Sequence, residues 1–376
     1  MKIAIDVSQI VYGTGVSRYT ENLVEALLNI DHKNEYIIFG TSLRQHGKLK
    51  DFQRKISKFP NAKVKIFYYP LALFELLFNK LRLPIIEKFS GPVHILHTSD
   101  WIEPKVNPQV TKKVTTIHDM ITFLFPTTLP KRIINNQTKR MNIVKKESDL
   151  IIANSQTTAD DVAKFLEIPQ EKIRVIYLAV PSRFKPQSED KINQVLSKYK
   201  IKKPFILSVA TQEPRKNIQK LIDAFEKINK ERDDVNLVLT GKYGWGPLLD
   251  VVPNVIQTGF IEEEELIALY AACRVFAYPS LYEGFGFPVL EAMACGAPTV
   301  TSNSSSMSEI AKDAAILVDP RSEAQIIKAI NIVLDLKTED YQSMVRASLT
   351  RARKYSWSRA AHETLKVYEE LARKFS

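Results

Sequence analysis

The sequence predicts an α/β protein of two domains, each built on a parallel sheet covered by helices on both faces. Three observations lead there. Short apolar runs alternate with amphipathic helical stretches along the chain. The length of 376 residues suits two domains of ordinary size, each able to bury a core. Between the halves, Val180 through Lys203 is polar and is punctuated by Pro181, Pro186 and then Pro204. The domains are therefore set at 1–182 and 183–356, with 357–376 as a closing helical segment.

The first strand is expected at Ile3–Val7. Tyr12-Gly13-Thr14-Gly15-Val16-Ser17-Arg18-Tyr19 then turns into the helical pattern Thr20–Leu28. A glycine-bearing turn of this kind approaches a phosphate or an acceptor, or is a plain tight turn; without a full G-x-G-x-x-G both readings stand. Strands follow at Tyr36–Phe39, Val64–Tyr68 and Ile95–His97. Between Leu71 and Phe89, large apolar residues mixed with Lys and Arg read as an interfacial helix, or as one packed on its own sheet. The strand Lys113–Ile117 ends in His118-Asp119, a titratable ring at a sheet edge where site residues gather, although a lone His is as readily structural. Leu150–Ala153 leads to Ser155 or Thr157 as the cap of a helix carrying Asp160 and Asp161, and Arg174–Tyr177 ends the half.

In the second half, the apolar run Phe205–Val209 reads as a buried parallel strand. It enters Glu213-Pro214-Arg215-Lys216-Asn217, with a helix from about Ile218. Two cations at the carboxyl end of a strand lie where open α/β sheets bind ligands. Arg holds phosphate oxygens bidentately and Lys supplies a point charge. Asn236–Thr240, Val255–Thr258 and Val275–Tyr278 are the next strands.

The segment Glu283-Gly284-Phe285-Gly286-Phe287-Pro288-Val289-Leu290-Glu291, ending near Gly296, carries the most chemistry. Gly284 and Gly286 free the backbone to turn tightly and admit an anion to its N–H groups. Pro288 suits a first helical turn and Gly296 a left-handed cap, so a helix is expected from about Phe287 to Cys295. Its amino terminus is a diphosphate site by dipole and unpaired N–H groups. Glu283 and Glu291 bracket that anion; repelled by phosphate, they suit the hydroxyls of a sugar on one side and a ribose on the other. Thr299–Ser302 and Ile316–Val318 complete the strands, with Glu309 near the start of an intervening helix, where it favours the dipole.

The run from Pro279 to Gly296 resembles the signature of retaining glycosyltransferases of family 4, and Glu213–Asn217 resembles a second segment of that family. The resemblance implies the GT-B fold, two facing Rossmann-like domains with a central cleft, the acceptor in the first domain and the nucleotide-sugar in the second. It also implies that the last helix crosses back to the first domain. By resemblance, Arg215 and Lys216 contact the donor diphosphate, Glu283 the donor hydroxyls, Glu291 the ribose, and His118 the donor sugar, with Asp119 at most orienting the His118 ring. Gly15, Gly284, Phe285, Gly286 and Phe287 complete the substrate-binding set. Ala210 and Thr14 depart from the family, which often has Gly at both. Glu213-Pro214-Arg215-Lys216-Asn217 together with the amino-terminal pattern is similar to mannosyltransferases of bacterial surface polysaccharides, including lipopolysaccharide. This implies a GDP-mannose donor and a glycan or polyprenyl-diphosphate-linked glycan acceptor. A UDP-sugar-dependent glucosyl- or N-acetylglucosaminyl-type transferase is an alternative, as is a nucleotide-sugar binding or isomerising protein. No cofactor is expected, and without an Asp-x-Asp to hold a metal against a diphosphate, metal independence is expected too.

Charge narrows the partners. Residues 1–182 carry 26 Lys and Arg against 17 Asp and Glu, and the remainder 27 against 25. Clusters at Lys48/Lys50, Arg54-Lys55, Lys63/Lys65, Lys131-Arg132, Lys139-Arg140 and Lys145-Lys146 face anionic lipid or a lipid pyrophosphate, or form a solvated basic surface. Nucleic acid is not expected as a partner, for the chain has no zinc-ligand spacing and no aromatic-basic recognition motif. No apolar run approaches a spanning length, and Asp6 comes too early for a secretory signal. The expectation is a cytoplasmic protein, peripheral at the inner face of the membrane where the basic clusters touch lipid. Cys273 and Cys295 lack metal-ligand spacing and read as apolar filling.

Overall fold

The computed structural model describes residues 1–244, 246, 249 and 252–373; 374–376, the end of the expected closing segment, lie outside them. The chain forms two compact units. One comprises Met1–Leu178 with the segment from Ser356, the other Ala179–Tyr355.

The first unit runs β1 (Lys2–Asp6), α1 (Gly15–Ile30), β2 (Glu35–Thr41), α2 (His46–Ile56), β3 (Ala62–Phe67), α3 (Leu71–Phe74, continuing as a π-helical stretch Glu75–Leu81), α4 (Glu87–Ser90) and β4 (Ile95–Thr98). It continues with β5 (Lys112–Ile117), α5 (Ile121–Leu124), α6 (Lys131–Glu147), β6 (Leu150–Ala153), α7 (Gln156–Leu166) and β7 (Ile173–Val175). The strands form a parallel sheet in the order β3-β2-β1-β4-β5-β6-β7. The inner strands are covered on both faces and are apolar with little alternation, Ile3, Ala4, Ile38, Leu96, Val114 and Ile151 all being buried, whereas the edge strand β3 alternates, with Lys63 and Lys65 exposed. Ser155 caps α7 by accepting from Thr158 N, leaving Thr157 inside the helix.

The final helix, Trp357–Ala372, packs on α1 within this unit. Ser356 caps it, and Tyr368 Oη lies 2.6 Å from His97 Nδ1. Between Leu71 and Phe89 one face packs on the unit's own sheet, with Phe74 and Phe78 against Ala4, Ile37 and Phe39. Leu76, Leu81 and Leu83 stay exposed. Arg140 corrects the surface reading of Lys139-Arg140: it is buried, and its Nε donates to Glu103 Oε1 at 2.9 Å. Lys113 is buried on the same carboxylate at 2.8 Å, so Glu103 pairs with two cations that solvent does not reach, and Glu147 lies 3.8 Å from Lys113 as a second counter-charge.

The second unit runs α8 (Glu189–Tyr199), β8 (Phe205–Val209), α9 (Ile218–Glu231), β9 (Asn236–Thr240), β10 (Val255–Gly259), α10 (Glu263–Ala272) and β11 (Val275–Tyr278). Then come α11 (Phe287–Ala294), β12 (Thr299–Ser302), α12 (Ser305–Ala311), β13 (Ala315–Val318), α13 (Glu323–Asp335) and α14 (Thr338–Ala352). Its parallel sheet has the order β10-β9-β8-β11-β12-β13. This is the doubly wound arrangement in which direction reverses between the first and fourth strands. Ile206, Leu237, Val275 and Val300 of the sheet meet Leu221, Phe225, Ile326 and Ile330 of α9 and α13 in its core. All the expected strands form, within one or two residues at each end. Glu309 is corrected: it is the fifth of seven residues in α12, beyond the turn where an acid favours the dipole.

Candidate functional site

β8 and β11 are neighbours at the point where the order of the second sheet reverses, and the carboxyl ends of such strands are where open α/β sheets bind ligands. The loop after β8 makes a 3-10 turn at Pro214–Lys216, and Asn217 then takes a left-handed conformation at φ 58° to start α9. The Asn217 amide donates to Pro279 O at 3.0 Å and Pro320 O at 2.7 Å, tying three loops together. Leu281 N donates to Arg215 O at 2.8 Å, and the Arg215 guanidinium donates to Tyr282 O at 2.8 Å. The two loops are thus laced to each other through their backbones.

Arg215, Lys216 and Glu283 come together where these two loops meet. Glu283 Oε2 lies 2.9 Å from Arg215, and Oε1 lies 2.7 Å from Lys216 Nζ. Arg215 also pairs with Glu213 at 3.1 Å. Burial opposes ionisation of Glu283, but the adjacent Arg215 and Lys216 outweigh it and hold the carboxyl down at about 2. The Lys216 pKa is lowered as well, because desolvation of the ammonium outweighs the pull of Glu283. Two cations and two carboxylates balance, leaving a charged cluster without net charge.

Gly284, Phe285 and Gly286 lead into α11. Gly286 supplies the left-handed turn at φ 94°, and Phe287 and Pro288 open the helix. Phe285 is buried, with its ring 5.2 Å from that of Phe287 and 6.3 Å from Tyr355. Glu291 projects from α11 into the interior, where Tyr270 Oη donates to its Oε2 at 3.0 Å. Gly296 is left-handed at φ 86°, just past the helix end.

His118 and Gly15 belong to the first unit. His118 follows β5; its ring meets Tyr19 of α1 edge-on at 4.7 Å, and its Nε2 is buried without a hydrogen-bond partner. Desolvation, aided by Arg140 and His97, lowers its pKa to about 3, so the ring is neutral near pH 7. Asp119 Oδ1 accepts from Ile121 N at 3.0 Å, at the start of α5. Gly15 opens α1, where Thr14 and Ser17 cap the helix reciprocally. Thr14 sits at φ −97°, so glycine is not required there.

The sequence profile of the family described as Glycosyl transferases group 1 matches residues 189–351, and that of Glycosyltransferase Family 4 matches residues 13–183. The chain belongs to these glycosyltransferases. O-antigen chain mannosyltransferase B of Escherichia coli is 29% identical over 403 aligned positions, covering 99% of this chain and 100% of that protein. Serotype-specific mannosyltransferase WbdA of Escherichia coli is 32% identical over 246 positions, covering 60% of this chain but only 29% of WbdA. In structure, the glycosyltransferase resembles a sucrose-phosphate synthase from Thermosynechococcus elongatus with a TM-score of 0.74 and 18% identity over the whole of both chains. Its fold is of the GT-B class.

Several residues of this glycosyltransferase's cluster escape sequence reasoning. Tyr278 Oη donates to Glu283 Oε1 at 2.9 Å, and Ser280 Oγ donates to the same oxygen at 2.8 Å. Ser306 Oγ donates to Glu283 O at 2.8 Å, and Glu283 N donates to Ser305 Oγ at 3.2 Å. Tyr278 reads in the sequence as the last residue of an apolar strand. Its signal is a hydroxyl at the carboxyl end of β11, five residues before the acid. A cavity of about 690 Å³ between α8 and α10 is lined by none of the expected site residues.

Proposed function

We propose that the glycosyltransferase is a retaining hexosyltransferase of cell-surface polysaccharide synthesis, moving mannose from GDP-mannose to a hydroxyl of a glycan or polyprenyl-linked glycan. The observation that carries this reading is the Arg215, Lys216 and Glu283 cluster at the reversal point of a six-stranded doubly wound sheet, beside the amino terminus of α11. The named activities of the Escherichia coli relatives support mannose and O-antigen-type polysaccharide as the donor sugar and product class.

In this reading, departure of the diphosphate builds negative charge that Arg215, Lys216 and the α11 amino terminus stabilise. Glu283 orients the hexose hydroxyls, Glu291 the ribose, and neutral His118 the sugar. The departing phosphate takes the acceptor proton, so no carboxylate nucleophile is required. The cations do the work of a metal against the diphosphate, so turnover persists in a chelator. Contact with an anionic membrane brings the enzyme to a lipid-linked acceptor at the cytoplasmic face.

Thermal stabilisation by GDP-, UDP-, ADP- and dTDP-sugars tests the reading. A ligand at about 100 times its dissociation constant adds roughly 2.7 kcal/mol. A shift selective for GDP-mannose and abolished by Glu291→Ala is the expected result. Selectivity for another nucleotide overturns the donor, and no shift with any of them overturns the transferase site.

A further inference from the structure

The Glu283 carboxylate is held by four side chains of two kinds. Arg215 and Lys216 are cations; Tyr278 and Ser280 are neutral hydroxyls, both on Oε1. Only the first kind is drawn toward an arriving diphosphate. Each cation transferred to phosphate oxygens weakens its hold on the carboxylate, because phosphate competes for the same N–H groups. The hydroxyl donors gain nothing from a neighbouring anion that the carboxylate does not already supply.

We propose that Tyr278 and Ser280 are positioning residues that keep the Glu283 carboxylate aimed at the donor hexose after the diphosphate has drawn Arg215 and Lys216 away. This rests on the reading of the cluster as a nucleotide-sugar site. Tyr278 is suited to the task. Its ring is buried, stacked on Phe276 at 5.9 Å with an interplanar angle of 15°, so the phenol cannot swing to another partner. Burial first, and the charge of Glu283 second, raise the phenol pKa well above 10, so it remains a proton donor at every working pH. It accepts from Lys216 Nζ at 2.9 Å while donating to Glu283, so losing Lys216 to phosphate leaves its donated bond in place. Ser280 is fixed through its backbone, where Ser302 Oγ donates to Ser280 O at 2.6 Å; its single hydroxyl proton has Glu283 Oε1 at 2.8 Å as its nearest acceptor, ahead of Arg215 O at 3.1 Å and Tyr282 O at 3.3 Å.

The consequence is a division of labour within one cluster. The cations set affinity for the diphosphate, and the hydroxyls set the extra affinity that the hexose adds. Calorimetric dissociation constants of GDP and of GDP-mannose for the parent, Tyr278→Phe, Ser280→Ala and Ser280→Thr separate the two. Tyr278→Phe and Ser280→Ala are expected to bind GDP within about twofold of the parent. Each should lose about tenfold of the ratio between GDP and GDP-mannose, the effect of one hydrogen bond to a charged group. Ser280→Thr, which keeps the hydroxyl, should restore the ratio. Equal weakening of both ligands would mean that the hydroxyls only support the loop and would overturn the proposal, as would an unchanged ratio in both variants. If the parent binds neither these ligands nor other nucleoside-diphosphate sugars, the function reading fails first and takes this inference with it.

Discussion

Two buried carboxylates show how the same desolvation penalty reaches opposite ends. Glu283 faces two cations and its pKa is held near 2; Asp6, at the end of β1, has Ser8 on Oδ1 and no hydrogen-bond partner on Oδ2, and burial pushes it up to about 6. Glu283 therefore stabilises the fold above its unfolded value of about 4.5, and that contribution is lost as pH falls toward 2. For Asp6 the sign reverses. Between 3.8 and about 6 the folded state keeps a proton that the unfolded state has released, so stability falls as pH rises through that window. A shift of this size corresponds to at most about 3 kcal/mol. Asp6→Asn cannot titrate, so urea denaturation should show the variant gaining on the parent by up to that amount between pH 4 and pH 7. The constant cost of burying the amide cancels from this difference. Parallel stability curves for the two proteins would show that Asp6 is not a buried acid.

At the scale of elements, the carboxyl ends of β8, β9 and β10 are drawn together by backbone. Ala210 N donates to Thr240 O at 2.9 Å, and Gly241 N donates to Gly259 O at 3.0 Å. A Cβ on Gly241 would stand 2.0 Å from Ala210 O, at a φ of 144° that suits glycine alone. Gly241 supplies the room for the Ala210 carbonyl. Gly241→Ala should cost at least about 2 kcal/mol and weaken donor binding, because the strain falls beside the loop that carries Arg215. Gly47→Ala, with open space around its Cβ in α2, should be neutral or slightly stabilising. Equal effects on thermal stability would contradict this account. The strands themselves were legible because parallel strands buried on both faces must be apolar along their length, as Phe205–Val209 is, and because glycine and proline mark their ends. The Arg215, Lys216 and Glu283 positions were legible from loops following strands. Their mutual ion pairing was not, since residues 67 apart in sequence meet only through the order of β8 and β11. Arg140 misled for the same reason: its counter-ion, Glu103, is 37 residues away in sequence.

At the scale of the whole molecule, the positive excess of residues 1–182 coincides with exposed apolar side chains that the core has not taken up. Tyr68, Tyr69, Leu76, Leu81 and Leu83 are all at least two-fifths exposed, while Phe74 and Phe78 of the same stretch are buried. The helix thus has one face for its sheet and another for something else. Lys50 of α2 lies 5.7 Å from the Tyr68 ring, so cations border the apolar group, and Lys80 and Lys88 are exposed along the same stretch. Apolar insertion and attraction to anionic headgroups are both needed for the proposed membrane contact, since each basic residue near a charged surface contributes only about 1 kcal/mol. The two terms separate experimentally. Sedimentation with phosphatidylserine-containing vesicles should retain the protein at low salt and release much of it at about 0.5 M salt, where screening acts within a few ångströms. Leu81→Asp combined with Leu83→Asp should abolish retention even at low salt while leaving GDP-mannose binding intact, because those residues lie in the first unit and the donor cluster in the second. Retention that is equal on neutral vesicles, or indifferent to both salt and the paired substitution, would remove the membrane from the proposal and leave the exposed leucines to a protein partner.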